Sequence, residues 1–232
     1  MPDVPRYRRR EHGRSQFTKW NMFVTALSAL TPNVRRVPTH GESAKLKVCV
    51  VGDEGVGKTS LIRQFVLSQF DDRYLRTVGV VVHKRVVVVP VERATYPAVI
   101  TVWDLIGRDD FAGRYREAYF TNSSGVLAVC DLTRPETLDG LGRWLDIVRG
   151  VVADVPIIVL ANKRDLTDHE RLAEDDLFAF CELYRVPFVE TSAKTGENVE
   201  LAFGKLAEMG MRDALARRTT PPVPAPEAYR VA

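Results

Sequence analysis

Long apolar runs are missing from this chain. Nowhere in its 232 residues do 18 or more apolar residues follow one another, so no segment reads as a membrane-spanning helix. Cysteine is scarce. Cys49, Cys130 and Cys181 each fall in an apolar stretch, which fits buried free thiols of a reduced, cytoplasmic compartment rather than a disulfide pair or a metal set. None follows Cys181, so no C-terminal prenylation is expected. A secretory signal is not expected either, because no solid apolar core with a small-residue cleavage site is present. The main body of the chain also lacks a basic excess. Residues 1–44 hold eight basic and three acidic residues, a net of +5 against +3 for the whole chain, so the remainder is net acidic. That distribution predicts no nucleic-acid partner. What is present is 45% hydrophobic and 27% charged, enough for one sizeable domain with extensions.

The stretch that organises the rest is Gly52-Asp53-Glu54-Gly55-Val56-Gly57-Lys58-Thr59-Ser60. Gly52, Gly57, Lys58 and Thr59 fill the phosphate-loop pattern of glycine, four residues, glycine, lysine, and serine or threonine. An apolar run, Leu46–Val51, precedes it and reads as a buried strand. Leu61–Val66 follows and reads as the start of a helix. The motif requires that context. Glycines let successive backbone N–H groups converge on an anion, and the helix N-terminus adds partial positive charge. Lys58 is placed to reach β- and γ-phosphates, and the Thr59 hydroxyl to ligate Mg²⁺.

Upstream, residues 1–14 form a basic arm expected to be disordered. Across residues 15–31, Phe17, Trp20, Phe23, Val24, Leu27 and Leu30 recur at helical spacing on one stripe. This predicts an amphipathic helix, suited to an anionic membrane surface or, equally, to docking on its own domain or a partner. Residues 32–44 read as a linker, residues 45–214 as the nucleotide domain, and the Pro-rich residues 215–232 as a disordered tail.

Within the domain, Phe70–Gly79 is a polar loop, in which Thr77 is a candidate second Mg²⁺ ligand and Phe70 a candidate for stacking on a base. The β-branched run Val80–Val91 predicts an edge strand, with His83 facing solvent. A turn through Glu92–Pro97 returns the chain into the strand Ala98–Trp103, which makes the sheet mixed. That strand ends at Asp104, three residues before Gly107. The pair suits a metal-water ligand with a backbone N–H that senses the γ-phosphate. Buried strands are predicted over Gly125–Cys130, Pro156–Leu160 and Pro187–Val189, alternating with helices after Pro135, over Glu174–Tyr184, and from Asn198 to Ala214. Trp144 reads as packing. The expected fold is α/β: a doubly wound, mostly parallel six-stranded sheet with one antiparallel edge strand and ligands at strand carboxyl ends.

Taken together, Gly52–Thr59, Thr77-Val78-Gly79, Trp103-Asp104 with Gly107, Asn162-Lys163-Arg164-Asp165 and Ser192-Ala193-Lys194 resemble the Ras superfamily of small GTPases, in its Rab-like branch. The resemblance covers about residues 45–212. It implies a site for GTP or GDP with Mg²⁺, formed by Gly52, Gly55, Val56, Gly57, Lys58, Thr59 and Ser60 at the phosphates. Phe70, Asn162, Lys163, Asp165, Ser192, Ala193 and Lys194 are implied at the base. Asp165 would accept from the guanine N1–H and 2-amino groups, Asn162 would tie the base loop to the phosphate loop, Lys163 and Lys194 would flank the ring, and the Ala193 N–H would meet the guanine carbonyl. Thr59, Thr77 and, through water, Asp104 are implied at the metal. Lys58, Thr77, Gly107 and the residue after Gly107 are implied at the reacting phosphate. Effectors, exchange factors and activating proteins are implied partners.

The chain departs from the family at that last position. Arg108 stands where the family usually has the glutamine that orients the attacking water, which predicts slow hydrolysis. A permanently GTP-bound scaffold, or a GTPase domain that governs exposure of the N-terminal helix, is the alternative.

Overall fold

The computed structural model describes residues 44–68, 80–92, 94–105, 117–166 and 172–219. The readings placed on Phe70, Thr77, Gly107, Arg108, the N-terminal arm, helix and linker, and the tail beyond residue 219 lie outside those residues. The described chain runs β1 (Ala44–Val51), α1 (Lys58–Leu67), β2 (Val80–Val91), β3 (Ala94–Leu105), β4 (Gly125–Asp131), α2 (Glu136–Arg149), β5 (Ile157–Asn162), α3 (Glu174–Tyr184), β6 (Phe188–Glu190) and α4 (Val199–Thr219). These strands form one six-stranded sheet in the order β2-β3-β1-β4-β5-β6. Only the β2–β3 pair is antiparallel. The expected doubly wound sheet with one antiparallel edge strand is therefore the fold observed.

The central strands are apolar on both sides because helices cover both faces. Every residue of β4 and β5 is buried. One core joins β1–β3 to α1 and α4, with Phe65 stacked on Phe203 at 4.0 Å between centroids. The other lies against α2 and α3 around Trp144, Leu141 and Leu145. The three cysteines are free and buried. Among the described residues, no helix is long and apolar enough to cross a membrane.

Three details differ from the sequence reading. The hairpin turn is shorter than Glu92–Pro97: Tyr96 and Pro97 are in strand, opposite Val89 and Val88. The strand pairing closes at Val91 opposite Ala94, and Glu92 is at φ 54, the positive φ that a tight hairpin loop needs. His83 is half-buried rather than facing solvent, because odd-numbered residues of β2 point toward the helices. On that side Arg85 lies over the Phe65 ring and pairs with Glu200 at 2.6 Å, which ties the edge strand to α1 and α4. Finally, α4 continues to Thr219, five residues past Ala214, with Leu215 packed against the core.

Candidate nucleotide site

The phosphate loop lies between the buried end of β1 and the first turn of α1. Its glycines adopt backbone angles that other residues rarely reach: φ is 136 at Gly52, 78 at Gly55 and 102 at Gly57. Space is as restrictive as angle. A Cβ on Gly52 would sit 2.2 Å from the Val129 carbonyl oxygen. A Cβ on Gly57 would sit 2.3 Å from the Asn162 side-chain nitrogen. Gly57 precedes α1 without a side-chain cap, and no acidic residue lies in the first turn. The helix N-terminus thus remains open to an anion.

Lys58 is buried. Its Nζ donates to the Gly52 and Asp53 carbonyl oxygens, both at 2.7 Å, so the ammonium is folded back over the loop. Burial lowers its pKa to about 8, against the opposing pull of Asp104, Asp53 and Glu54. Asp104 is fully buried, and burial raises its pKa despite the Thr59 hydroxyl and Lys58 nearby. Thr59 Oγ1 donates to Asp104 Oδ2 at 2.5 Å. The other carboxylate oxygen, Asp104 Oδ1, has no hydrogen-bond partner among the described residues. An orphaned buried carboxylate oxygen beside a hydroxyl is a hard-oxygen donor set of the kind Mg²⁺ takes when it is shared with phosphates. Among the described residues, no group of three or more His, Cys, Asp or Glu is placed to hold a metal by itself.

The second half of the site is assembled by Asn162, at the end of β5. Its Nδ2 donates to the Val56 carbonyl at 2.9 Å, across 106 residues of sequence. Its Oδ1 accepts from the Ala193 N–H at 3.1 Å and the Thr191 hydroxyl at 3.3 Å. One buried amide thereby joins the phosphate loop to the loop after β6. The Ser192 hydroxyl donates to Asp165 Oδ1 at 2.6 Å and fixes that half-buried carboxylate at the rim. Lys163 takes φ 68 and is half-buried, while Lys194 is exposed. The structure therefore brings together Gly52–Ser60, Asp104, Asn162, Lys163, Asp165 and Ser192–Lys194.

The sequence reading missed the part that two residues play in this assembly. Asp131, at the carboxyl end of β4, is fully buried. It holds Lys163 Nζ at 2.6 Å and Arg134 Nε at 2.9 Å, and accepts from Thr133. Burial alone would raise its pKa, but these partners outweigh it and hold the carboxyl below its ordinary value. Arg134 also donates to the Glu54 carbonyl at 3.1 Å. An acid at a strand's carboxyl end was a signal already applied to Asp104, and it applies equally to Asp131. The other is Trp144. It packs as expected, but its Nε1 also donates to Asp53 Oδ1 at 3.1 Å. Gly140 makes room for that carboxylate, since a Cβ there would lie 2.1 Å from Asp53 Oδ2.

Comparison with known proteins points the same way as the geometry. The Ras family sequence profile matches residues 47–211. Human Ras-related protein Rab-37 is 35% identical over 164 residues, which cover 70% of this chain and 71% of its own. GTP-binding protein YPTM2 of Zea mays is 31% identical over 171 residues, 73% of this chain and 81% of that one. Ras-related protein Rab-26 of Drosophila melanogaster is 35% identical over 164 residues, 69% of this chain and 41% of that one.

Proposed function

The chain belongs to the Ras family of small GTPases, in its Rab-like branch, and from that premise we propose that it is a guanine-nucleotide switch with slow intrinsic GTP hydrolysis. The observation that carries this reading is the Asn162 bridge. A single buried side chain holds the anion-binding loop and the Asp165–Ser192 pair in fixed relation. A ligand that satisfies both must carry phosphates at one end and adjacent N–H donors at the other.

On this reading the amides of Gly55–Ser60 and the Lys58 ammonium receive the phosphates. To do so, Lys58 exchanges its two carbonyl partners for phosphate oxygens. Asp165 accepts from the guanine N1–H and 2-amino groups. Adenine has neither donor, so ATP would cover the half-buried Asp165 carboxylate without supplying those two bonds, at a cost of about 1–3 kcal/mol. Asp131 holds the Lys163 ammonium, which lets the aliphatic stem lie along the ring, with Lys194 and Phe70 as the other flanking groups. Thr59, Thr77 and, through water, Asp104 would hold Mg²⁺, which when bound offsets charge on the β- and γ-oxygens. Thr77 and Gly107 would engage the γ-phosphate, and its loss would release both loops to change the partners they contact. Those partners are an effector, an exchange factor and an activating protein.

The test exchanges an acceptor for a donor. Asp165→Asn cannot accept from both guanine N–H groups, but its amide can donate to the 2-carbonyl of xanthine. Weakened GTP binding with gained xanthosine triphosphate binding is expected in paired titrations. Unchanged GTP affinity would remove Asp165 from the base site and the reading with it.

A further inference from the structure

The outer face of the β2–β3 hairpin is built unlike a solvated sheet face. On β2 the outward positions are Val82, Lys84, Val86, Val88 and Pro90, and all are exposed. Val86 and Val88 are each 68% exposed and Val82 is 51% exposed. Opposite them on β3 stand Trp103, Val99 and Pro97. The inward positions of the same strands, Val89, Val91, Ala98 and Ile100, are already in the core. A half-buried antiparallel strand ordinarily alternates apolar with polar. From Val86 to Val91 this one is apolar on both sides, and an exposed apolar patch of this kind marks an interaction surface.

The position of the chain's entry into the domain identifies what covers it. Ala44, the first described residue, pairs with Ala98. The next residue, Lys45, pairs with Val99, which itself faces Val86. The N-terminal segment therefore leaves the sheet at the row where the patch is most exposed. Residues 32–43 between the amphipathic stretch and Ala44 number twelve. As a flexible chain they span roughly 17–21 Å. The amphipathic stretch 15–31, as a helix, is about 25 Å long. The patch from Val82 to Pro90 is about 27 Å long. Length, reach and point of attachment agree.

Charge selects in the same direction. The exposed charges beside the body of the patch are Lys84 and Lys45, both basic, with Glu92 at the hairpin tip beyond Pro90, whereas residues 15–31 carry only Lys19. The Arg-rich arm 1–14 is repelled, and the nearly uncharged aromatic stripe is not. Lys47 already lies over the Trp103 ring at 4.2 Å, which shows the geometry that a lysine and an aromatic ring adopt on this face. We propose that residues 15–31 lie as an amphipathic helix on the outer face of the β2–β3 hairpin, covering Val82, Val86 and Val88. Tethering supplies a local concentration on the order of millimolar, so modest apolar contact suffices. The hairpin begins after residue 79 and ends before residue 106, so the docked helix lies between the two stretches assigned above to the nucleotide switches.

Hydrogen exchange on the full chain tests this without using hydrolysis, so its failure would leave the nucleotide reading intact. Amides of residues 17–30 are expected to exchange at least about tenfold more slowly than a free chain. Val86→Lys with Val88→Lys should restore free-chain rates, while an unchanged thermal melt shows that the fold survives these exposed substitutions. A second measurement cross-links Leu27→Cys to Val86→Cys with a short bis-maleimide. The three native thiols stay silent, since all are buried and burial pushes Cys49 to about 11, Cys130 to about 12 and Cys181 up likewise. An intramolecular product is expected, and none when Leu183→Cys on α3 replaces Val86→Cys. Free-chain exchange in the wild type would overturn the proposal. So would protection that survives the double lysine substitution, that appears only with phosphatidylserine vesicles, or that comes with cross-links only between two copies.

Discussion

At the scale of single residues, the roles proposed for Lys58 and Arg108 each predict a measurable sign. Burial holds Lys58 at about 8, from an ordinary value of 10.5. Between those values the unfolded chain keeps a proton that the folded, nucleotide-free protein has released. Stability of the empty protein should therefore rise, not fall, as pH climbs from 8 to 10.5. Triphosphate binding should move the other way, because the anion requires the ammonium. Each pH unit above 8 should cost up to about tenfold in affinity. Titrations at constant ionic strength check this, and a flat affinity profile across the window would contradict it. For Arg108 the prediction rests on its donor inventory. Glutamine can accept a hydrogen bond from the attacking water and donate one toward the phosphate, whereas a guanidinium only donates. Arg108→Gln should raise the rate of single-turnover phosphate release from GTP-loaded protein. A fast wild type slowed by both Arg108→Gln and Arg108→Ala would instead make Arg108 a charge-stabilising finger.

At the scale of elements, α2 is more than packing. It delivers Trp144 to Asp53 and, through the turn before it, Arg134 to the Glu54 carbonyl, so one helix holds the phosphate loop at two points. Trp144→Phe keeps most of the buried ring but leaves the Asp53 carboxylate short of a donor. A loss of about 1.5–3 kcal/mol in unfolding free energy is expected, with faster nucleotide release. Denaturant melts and release of a fluorescent nucleotide would show it, and a silent substitution would reduce Trp144 to volume alone. The same element explains what the sequence could and could not reveal. Strand–helix alternation and the end of α3 were legible because hydrophobic period and turn residues are local; Glu174–Tyr184 was read with the bounds observed. Pro97 misled, since proline reads as a turn. It stands at a strand position opposite Val88, just before β1 pairing begins at Ala98. The end of α4 was read short because Leu215 gains its value from distant core residues rather than from neighbours. The Asp53–Trp144 contact was not legible at all, because it joins residues that only the folded sheet brings together, whereas Asp131 stands at a strand end and carries the same signal as Asp104.

For the whole molecule, the site is a clasp across the sheet, so filling it should stabilise everything the sheet holds. Nucleotide and Mg²⁺ at about a thousand times Kd should add about 4 kcal/mol, which shifts Tm by roughly 8–16 °C in a domain of this size. Stripping with chelator and phosphatase should remove that increment, and adding back GDP with Mg²⁺ should restore it; an unmoved Tm would deny the site its ligand. The clasp also has a history in time. Val56 and Asn162 are 106 residues apart. At ribosomal speeds the second is made roughly 5–20 s after the first. Through that interval the nascent phosphate loop has neither its amide clamp nor the base pocket, and it must wait as a glycine-rich ribbon beside a half-built sheet. Competence for nucleotide therefore comes at the end of synthesis, when β5 and β6 have emerged, and a ribosome stalled before Asn162 would hold a chain that carries the loop yet binds nothing.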